Sequence, residues 1–203
     1  MGQLGTALQE MGVQVVLLTA TLAPADVGEL YAKMRLDARQ VRLFRSRTTR
    51  RNIGYRVRVV SRRDEGDREV RRVVQAGLER YSSGKIIVYG GEVERVERLG
   101  EMLSCPVFHS KVDTAEGKGR RWREWVEAGR VIVTTNALGM GIDVADVRMV
   151  VHAGPPRRLR DYAQESGRAG RDGEASEAVI VWPKGDDGHG AKRGKAKEGE
   201  AER

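Results

Sequence analysis

The sequence predicts an α/β protein: a parallel sheet with helices on both of its faces. Two observations carry that expectation. Apolar runs of strand length, Lys85–Tyr89, Val131–Thr134, 147–152 and 177–182, recur after residue 84. Helix-period stretches lie between several of them, long enough to serve as right-handed crossovers between parallel strands. The composition agrees with a globular chain. Of 203 residues 39% are hydrophobic and 33% charged, enough for one domain with a core or one domain plus a further piece. A formal net charge of +8 favours a polyanionic partner, although solubility alone accounts for it too. The lone Cys105 excludes an internal disulfide and a cysteine-rich zinc site, and its apolar neighbours predict a buried structural thiol. No apolar run approaches the length of a membrane span, and no signal-peptide pattern opens the chain.

Element by element, residues 2–11 read as a helical lead. Residues 13–18 read as a buried strand ending at Thr19-Ala20-Thr21, and Pro24 opens a helix to Met34. These three elements cannot make a sheet, so this piece leans on something else. From Lys33 to Arg63 there are twelve Lys or Arg and a single acid, Asp37, which fits either a solvated connector or a phosphate-facing stripe. Within it Ile53, Tyr55, Val57 and Val59 alternate with Gly54, Arg56 and Arg58, the period of a strand with one wet face. Residues 64–81 follow as a helix with Val70, Val73, Val74, Leu78 and Tyr81 on one stripe. Strand Lys85–Tyr89, a helix over 92–103 and a short strand at 106–108 come next. A helix ending near Ala128, with Asp113 able to cap it, turns Trp122, Trp125 and Val126 inward. Strands at 131–134 and 147–152, a helix at 157–167 and a strand at 177–182 complete the domain. Residues 184–203 hold almost nothing apolar and are expected to be disordered.

The chemistry concentrates between Val131 and Gly173. Thr134-Thr135-Asn136 follow a strand directly, where hydroxyls and free N–H groups suit a phosphate oxyanion and equally an ordinary helix cap. Gly139, Gly141 and Asp143 add backbone room and a carboxylate able to accept from sugar hydroxyls. Arg168 and Arg171 stand three apart at a helix end, each with a planar donor fork matched to phosphate. A basic last turn favoured by the helix dipole has the same look. Tyr162 and Gln164 lie about one turn earlier. This order of elements places Thr, Asp and both Arg at one edge of the sheet. The sequence holds no Gly-x-x-x-x-Gly-Lys-Ser/Thr and no strand ending in paired acids, and His109, His152 and His189 are too scattered for a metal site. Groups for a γ-phosphate without a phosphate cradle are what one half of a composite nucleotide site contains.

In this order, Thr19-Ala20-Thr21, Lys85–Tyr89, Val107-Phe108-His109-Ser110, residues 135–143 and residues 164–173 resemble the later motifs of superfamily 2 helicases. Gly-Met-Gly-Ile-Asp at 139–143 and Gln-Glu-Ser-Gly-Arg-Ala-Gly-Arg-Asp-Gly at 164–173 are similar to the RecQ family, as is the connector-like Arg51-Asn52-Ile53-x-Tyr55. The resemblance covers roughly residues 12–182. It implies a RecA-like second motor domain, of the P-loop NTPase kind, at 65–183. Before it come a remnant of the first motor domain at 1–45 and a basic connector at 46–64; a disordered basic tail at 184–203 follows. It implies Arg168 and Arg171 at the γ-phosphate with Gln164 supporting them, and Asp143 and Gly141 near the nucleotide. DNA contacts fall to Thr135, Asn136, His109 and Lys111, and coupling of nucleotide state to strand separation to Thr19, Ala20 and Thr21.

The implied activity is ATP-dependent 3′–5′ DNA unwinding in recombination and repair. ATP and Mg would be held mainly by a first RecA-like domain upstream, with no zinc; DNA single strands and duplex junctions are the partners, and no membrane is involved. Localisation follows the DNA: the nucleus in a eukaryote, otherwise the cytoplasm or nucleoid. The early motifs and the family's zinc subdomain are absent, and Val144-Ala145 stand where Lys-Pro is usual. The chain alone is therefore expected to be inactive; the alternative is a truncated, non-catalytic nucleic-acid-binding module.

Overall fold

The computed structural model describes residues 5–7, 14–19, 22–46, 50–111, 115–136 and 143–185. Six strands form its sheet: β1 (Ile53–Val60), β2 (Lys85–Tyr89), β3 (Val107–Phe108), β4 (Val131–Thr134), β5 (Val147–Ala153) and β6 (Ser176–Pro183). Every pairing is parallel, in the order β1-β6-β5-β2-β4-β3. The helices are α1 (Val27–Met34), α2 (Arg63–Arg80), α3 (Val93–Leu103), α4 (Ala115–Glu127) and α5 (Leu159–Ser166).

Two cores sandwich the sheet. On one face Val70, Val73 and Val74 of α2 and Val96 and Leu99 of α3 pack on Ile86, Val88, Val133 and Val151. On the other, Trp125 of α4 and Ala169 pack on Ile87, Ile132 and Val150, with Trp122 and Val126 against them. The stripes of α2 and α4 thus bury the residues that their periodicity marked. Burial pushes the Cys105 thiol up to about 11, so it is an inert packing group, as expected.

The chain divides into two units, Met1–Arg50 and Arg51–Arg203. The strand inside the expected connector is β1, an edge strand of the second unit's sheet, bonded to β6 along its full length. In the first unit the expected buried strand does not form. Residues 14–19 have no regular structure, and Val16 and Leu18 are 71% and 91% exposed. A parallel strand needs neighbours for its N–H and C=O groups, and no described element of that unit supplies them. Pro24–Asp26 form a 3-10 turn leading into α1, as the proline predicted. The helical lead falls mostly outside the described residues, as do Asp113, Ala20, Thr21, Gly139, Gly141 and the tail from 186 onward.

The floor of the functional edge is braced by ion pairs. Asp67 of α2 accepts from Arg95 and Arg98 of α3 at 2.8 and 2.9 Å, and Arg95 also donates to the Ala153 carbonyl at the end of β5. Gly154 continues from there at φ 114°, where a Cβ would face Arg95 at 3.2 Å.

Candidate functional site

Strand order reverses beside β2: β3 and β4 lie on one side of it, β5 and β6 on the other. In an open parallel sheet the carboxyl ends of the strands leave a crevice at that point. Here the crevice is an open cleft lined by Tyr89, Asn136, His152, Arg157, Asp161 and Glu165. His152 Nε2 lies 2.9 Å from Glu165 Oε2. Its ring stacks on Tyr89 (5.2 Å, 16°) and leans on Tyr162 (5.0 Å, 59°). Burial pushes the Tyr89 phenol far up, while the nearby Arg168 charge acts in the opposite direction. Asn136 with the carboxylates Asp161 and Glu165 offers acceptors to a donor-bearing ligand. None of Tyr89, His152 and Glu165 was assigned a role from sequence alone. The signal available for the first two was a polar residue closing an apolar strand run.

Beside the crevice, Thr134 Oγ1 lies 2.8 Å from the Phe108 carbonyl and 2.7 Å from its neighbour's, and the Thr135 N–H donates to Phe108. These bonds fasten the ends of β3 and β4, leaving Thr135 half-buried and Asn136 and Lys111 exposed. His109 is different. It is 1% exposed, its Nε2 3.4 Å from a Glu97 carboxylate oxygen. The ring is therefore withdrawn from the surface on which Asn136 and Lys111 stand.

The arginines stand on a turn whose backbone leaves this edge. Helix α5 starts beyond the carboxyl end of β5 and runs back across the sheet. The turn after it bonds to the chain entering β5: Gly170 N–H to the Val147 carbonyl (2.8 Å) and Asp172 N–H to the Ala145 carbonyl (3.3 Å). Thr135 and Asn136 lie at the carboxyl ends of the strands; the backbone of the arginine turn descends toward the start of β5, while the Arg168 side chain lies beside Tyr89 of the crevice. Both arginines follow the helix, which ends at Ser166.

The turn is firmly held. Asn52 Nδ2 donates to the Gly170 and Glu174 carbonyls at 2.8 and 2.9 Å, tying the connector motif to the arginine motif. Arg148 grips the Asp172 carboxylate through both donors and holds it below the usual aspartate range. Gly170 has φ 56°, and a Cβ there would press on Asn52, Ser176 and the Glu174 carbonyl. From this turn Arg171 reaches Asp143 at 2.7 Å; the arginine side chain is 33% exposed and the carboxylate 89%. A phosphate oxyanion could take the place of that open carboxylate, so Arg171 fits a nucleotide. Arg168 is only 7% exposed and packs beside Tyr89, so as placed it supports the turn from within. Gln164 is exposed on α5. Thr19 is exposed in the first unit. Among the described residues no three His, Cys, Asp or Glu side chains gather to hold a metal ion.

A parallel sheet of this order with helices on both faces is a RecA-like α/β domain. Residues 68–173, a little over half of the chain, match the helicase conserved C-terminal domain, and the chain belongs to that family. Several of its relatives are named as RecQ helicases. It is 32% identical over 180 residues to the putative ATP-dependent DNA helicase Q1 of Caenorhabditis briggsae, covering 86% of this chain and 28% of that protein. It is 30% identical over 173 residues to the ATP-dependent DNA helicase RecQ of Bacillus subtilis, covering 83% of this chain and 28% of that one. The chain thus spans less than a third of these relatives. Among solved structures, S. cerevisiae Dbp5 bound to RNA and ADP BeF3 superposes with a TM-score of 0.69 at 21% identity, over 83% of this chain and 45% of that one. Domain 2 of the DEAD-box helicase Mss116p bound to an RNA duplex gives 0.56 at 22% identity, over 66% of this chain and 55% of that one. At such identities these two establish the fold.

Proposed function

We propose that this chain is the second motor half of an ATP-dependent 3′–5′ DNA helicase of the RecQ type, acting in recombination and repair. The observation that carries the proposal is the 167–173 turn, locked by Asn52, Arg148 and Gly170, from which Arg171 projects toward an open surface. Its role is to bring a cation to the γ-phosphate across an inter-domain cleft, with Arg168 and Gln164 supporting it. The phosphate cradle and magnesium ligands come from a first motor domain. Thr135, Asn136 and Lys111 supply one side of the DNA track, and Thr19–Thr21 couple nucleotide state to strand separation. The nucleus of a eukaryotic cell, or the nucleoid, is the expected location; imaging a tagged chain checks it.

The test is ATP hydrolysis by the purified 203-residue chain, with and without DNA. Background turnover is expected alone, and DNA-stimulated turnover after addition of a first motor domain. In that mixture Arg171→Ala should raise the barrier by about 4–7 kcal/mol, the scale of a lost arginine finger. Stimulated turnover by the chain alone would contradict the division of labour. A second reading, a non-catalytic nucleic-acid-binding module, is favoured by the basic residues between Lys33 and Arg63. It predicts DNA affinity that falls steeply with salt even when no partner domain restores turnover.

A further inference from the structure

The edge of the sheet formed by β1 is built like a strand waiting for a neighbour. It runs for eight residues, whereas the opposite edge, β3, has two. The carbonyls of Asn52 and Val60 accept from Ser176 and Lys184. Backbone direction alternates along a strand, so the even-numbered residues face β6 and the N–H and C=O groups of Tyr55, Val57 and Val59 point out of the sheet. Among the described residues no strand pairs with them. Both faces of β1 are exposed over most of their length as well, with the Tyr55 ring meeting Tyr162 edge-on at 6.2 Å and Arg56 and Arg58 beside Ala76 and Arg80 of α2. Tyr55, Val57 and Val59 are 44%, 55% and 60% exposed on the face of the Trp125 core. Arg56 and Arg58 lie on the other face. Glu177 pairs with Arg56 at 3.0 Å and also with Arg80, whereas Arg58 has no ion pair among the described residues.

An edge of this kind is ordinarily a hazard, because it templates pairing with any exposed strand. The arginines decide which strand it accepts. A second copy aligned along the whole of β1 would set arginine against arginine, and like charges directly opposite each other destabilise a pair. A strand with carboxylates in that row meets Arg56 and Arg58 favourably and lays its alternate apolar side chains on Tyr55, Val57 and Val59.

We propose that the outer edge of β1 is a docking site for an extended segment of a partner protein that alternates carboxylate with apolar side chains, added as a seventh strand. The site lies beyond β6 from the β2–β5 crevice and is independent of the helicase reading.

The test uses the full chain and three eight-residue peptides: one alternating glutamate and valine, one of the same composition in two blocks, and one alternating lysine and valine. Amide hydrogen exchange is followed residue by residue. The alternating glutamate peptide should protect the Tyr55, Val57 and Val59 amides, which exchange readily without it; the other two should not. Val57→Pro should abolish protection while leaving the β6 ladder intact, since that N–H serves only the outer edge. If that variant does not fold, Arg58→Glu decides: it should weaken the glutamate peptide roughly three- to tenfold and admit the lysine peptide. Equal binding of the block-ordered peptide, or no protection of the three amides, overturns the proposal. So does protection that rises with protein concentration in the absence of peptide, which would make a second copy the occupant.

Discussion

Gly170 shows how much of the site rests on one residue. Its φ of 56° is costly for any side chain, and a Cβ would lie within 2.5 Å of Ser176 Oγ and 2.8 Å of the Glu174 carbonyl. Gly170→Ala should therefore destabilise the chain by about 2–4 kcal/mol, from backbone strain plus forced displacement, measured by urea unfolding. Asp172 carries a pH signature. Its pKa is depressed in the folded state, chiefly by the hydrogen bond from Arg148. The stability it contributes is therefore present above the ordinary aspartate value of 3.8 and is lost as pH falls through the lowered folded value. Asp172→Asn should lower stability at neutral pH and converge with the parent chain in acid, flattening the acid limb of the stability profile; an unchanged acid limb would remove the assignment. The Gly-Arg-Ala-Gly-Arg run was legible because two glycines and two arginines at fixed spacing have few other uses. That Arg168 turns inward was not, since spacing does not say which side of a turn is buried.

Among the elements, the strands buried on both faces, β2 and β4, have the limits that their unbroken apolar runs indicated. Residues 13–18 carry the same signal, yet the described part, 14–18, forms no strand, because an apolar run specifies burial only where neighbours exist to bury it. The path of α5 was also hidden from the sequence: a helix can be recognised by its period, but its direction across a sheet depends on what its last turn bonds to. One interaction joins two elements in a way that periodicity could not reveal. Lys85, at the start of β2, donates to the Trp125 and Gly129 carbonyls at 3.0 and 2.7 Å, neutralising the negative end of α4. Lys85→Met keeps the apolar stem and removes the donors. It should cost about 1–2 kcal/mol in thermal or urea unfolding, with the sheet unchanged by circular dichroism.

For the whole molecule, every member of the two large core clusters comes from residue 53 onward. A chain of residues 51–203 should therefore unfold in one cooperative transition close to that of the full chain. Broad, non-cooperative melting of this shorter chain would mean that the first unit is needed for the fold. The sheet and its helices were readable in the sequence because local periodicity and global topology agree there. The placement of the site was less readable, because it depends on contacts such as Asn52 to Gly170 that join residues 118 positions apart. The antiparallel course of α5 has a mechanical consequence. Its eight residues make a rod about 12 Å long. Glu165, paired with His152, is joined through the last turn of that rod to the arginine turn pinned at the start of β5. The crevice pair and the arginine turn therefore hang from the same end of α5, Glu165 and Arg168 standing three residues apart.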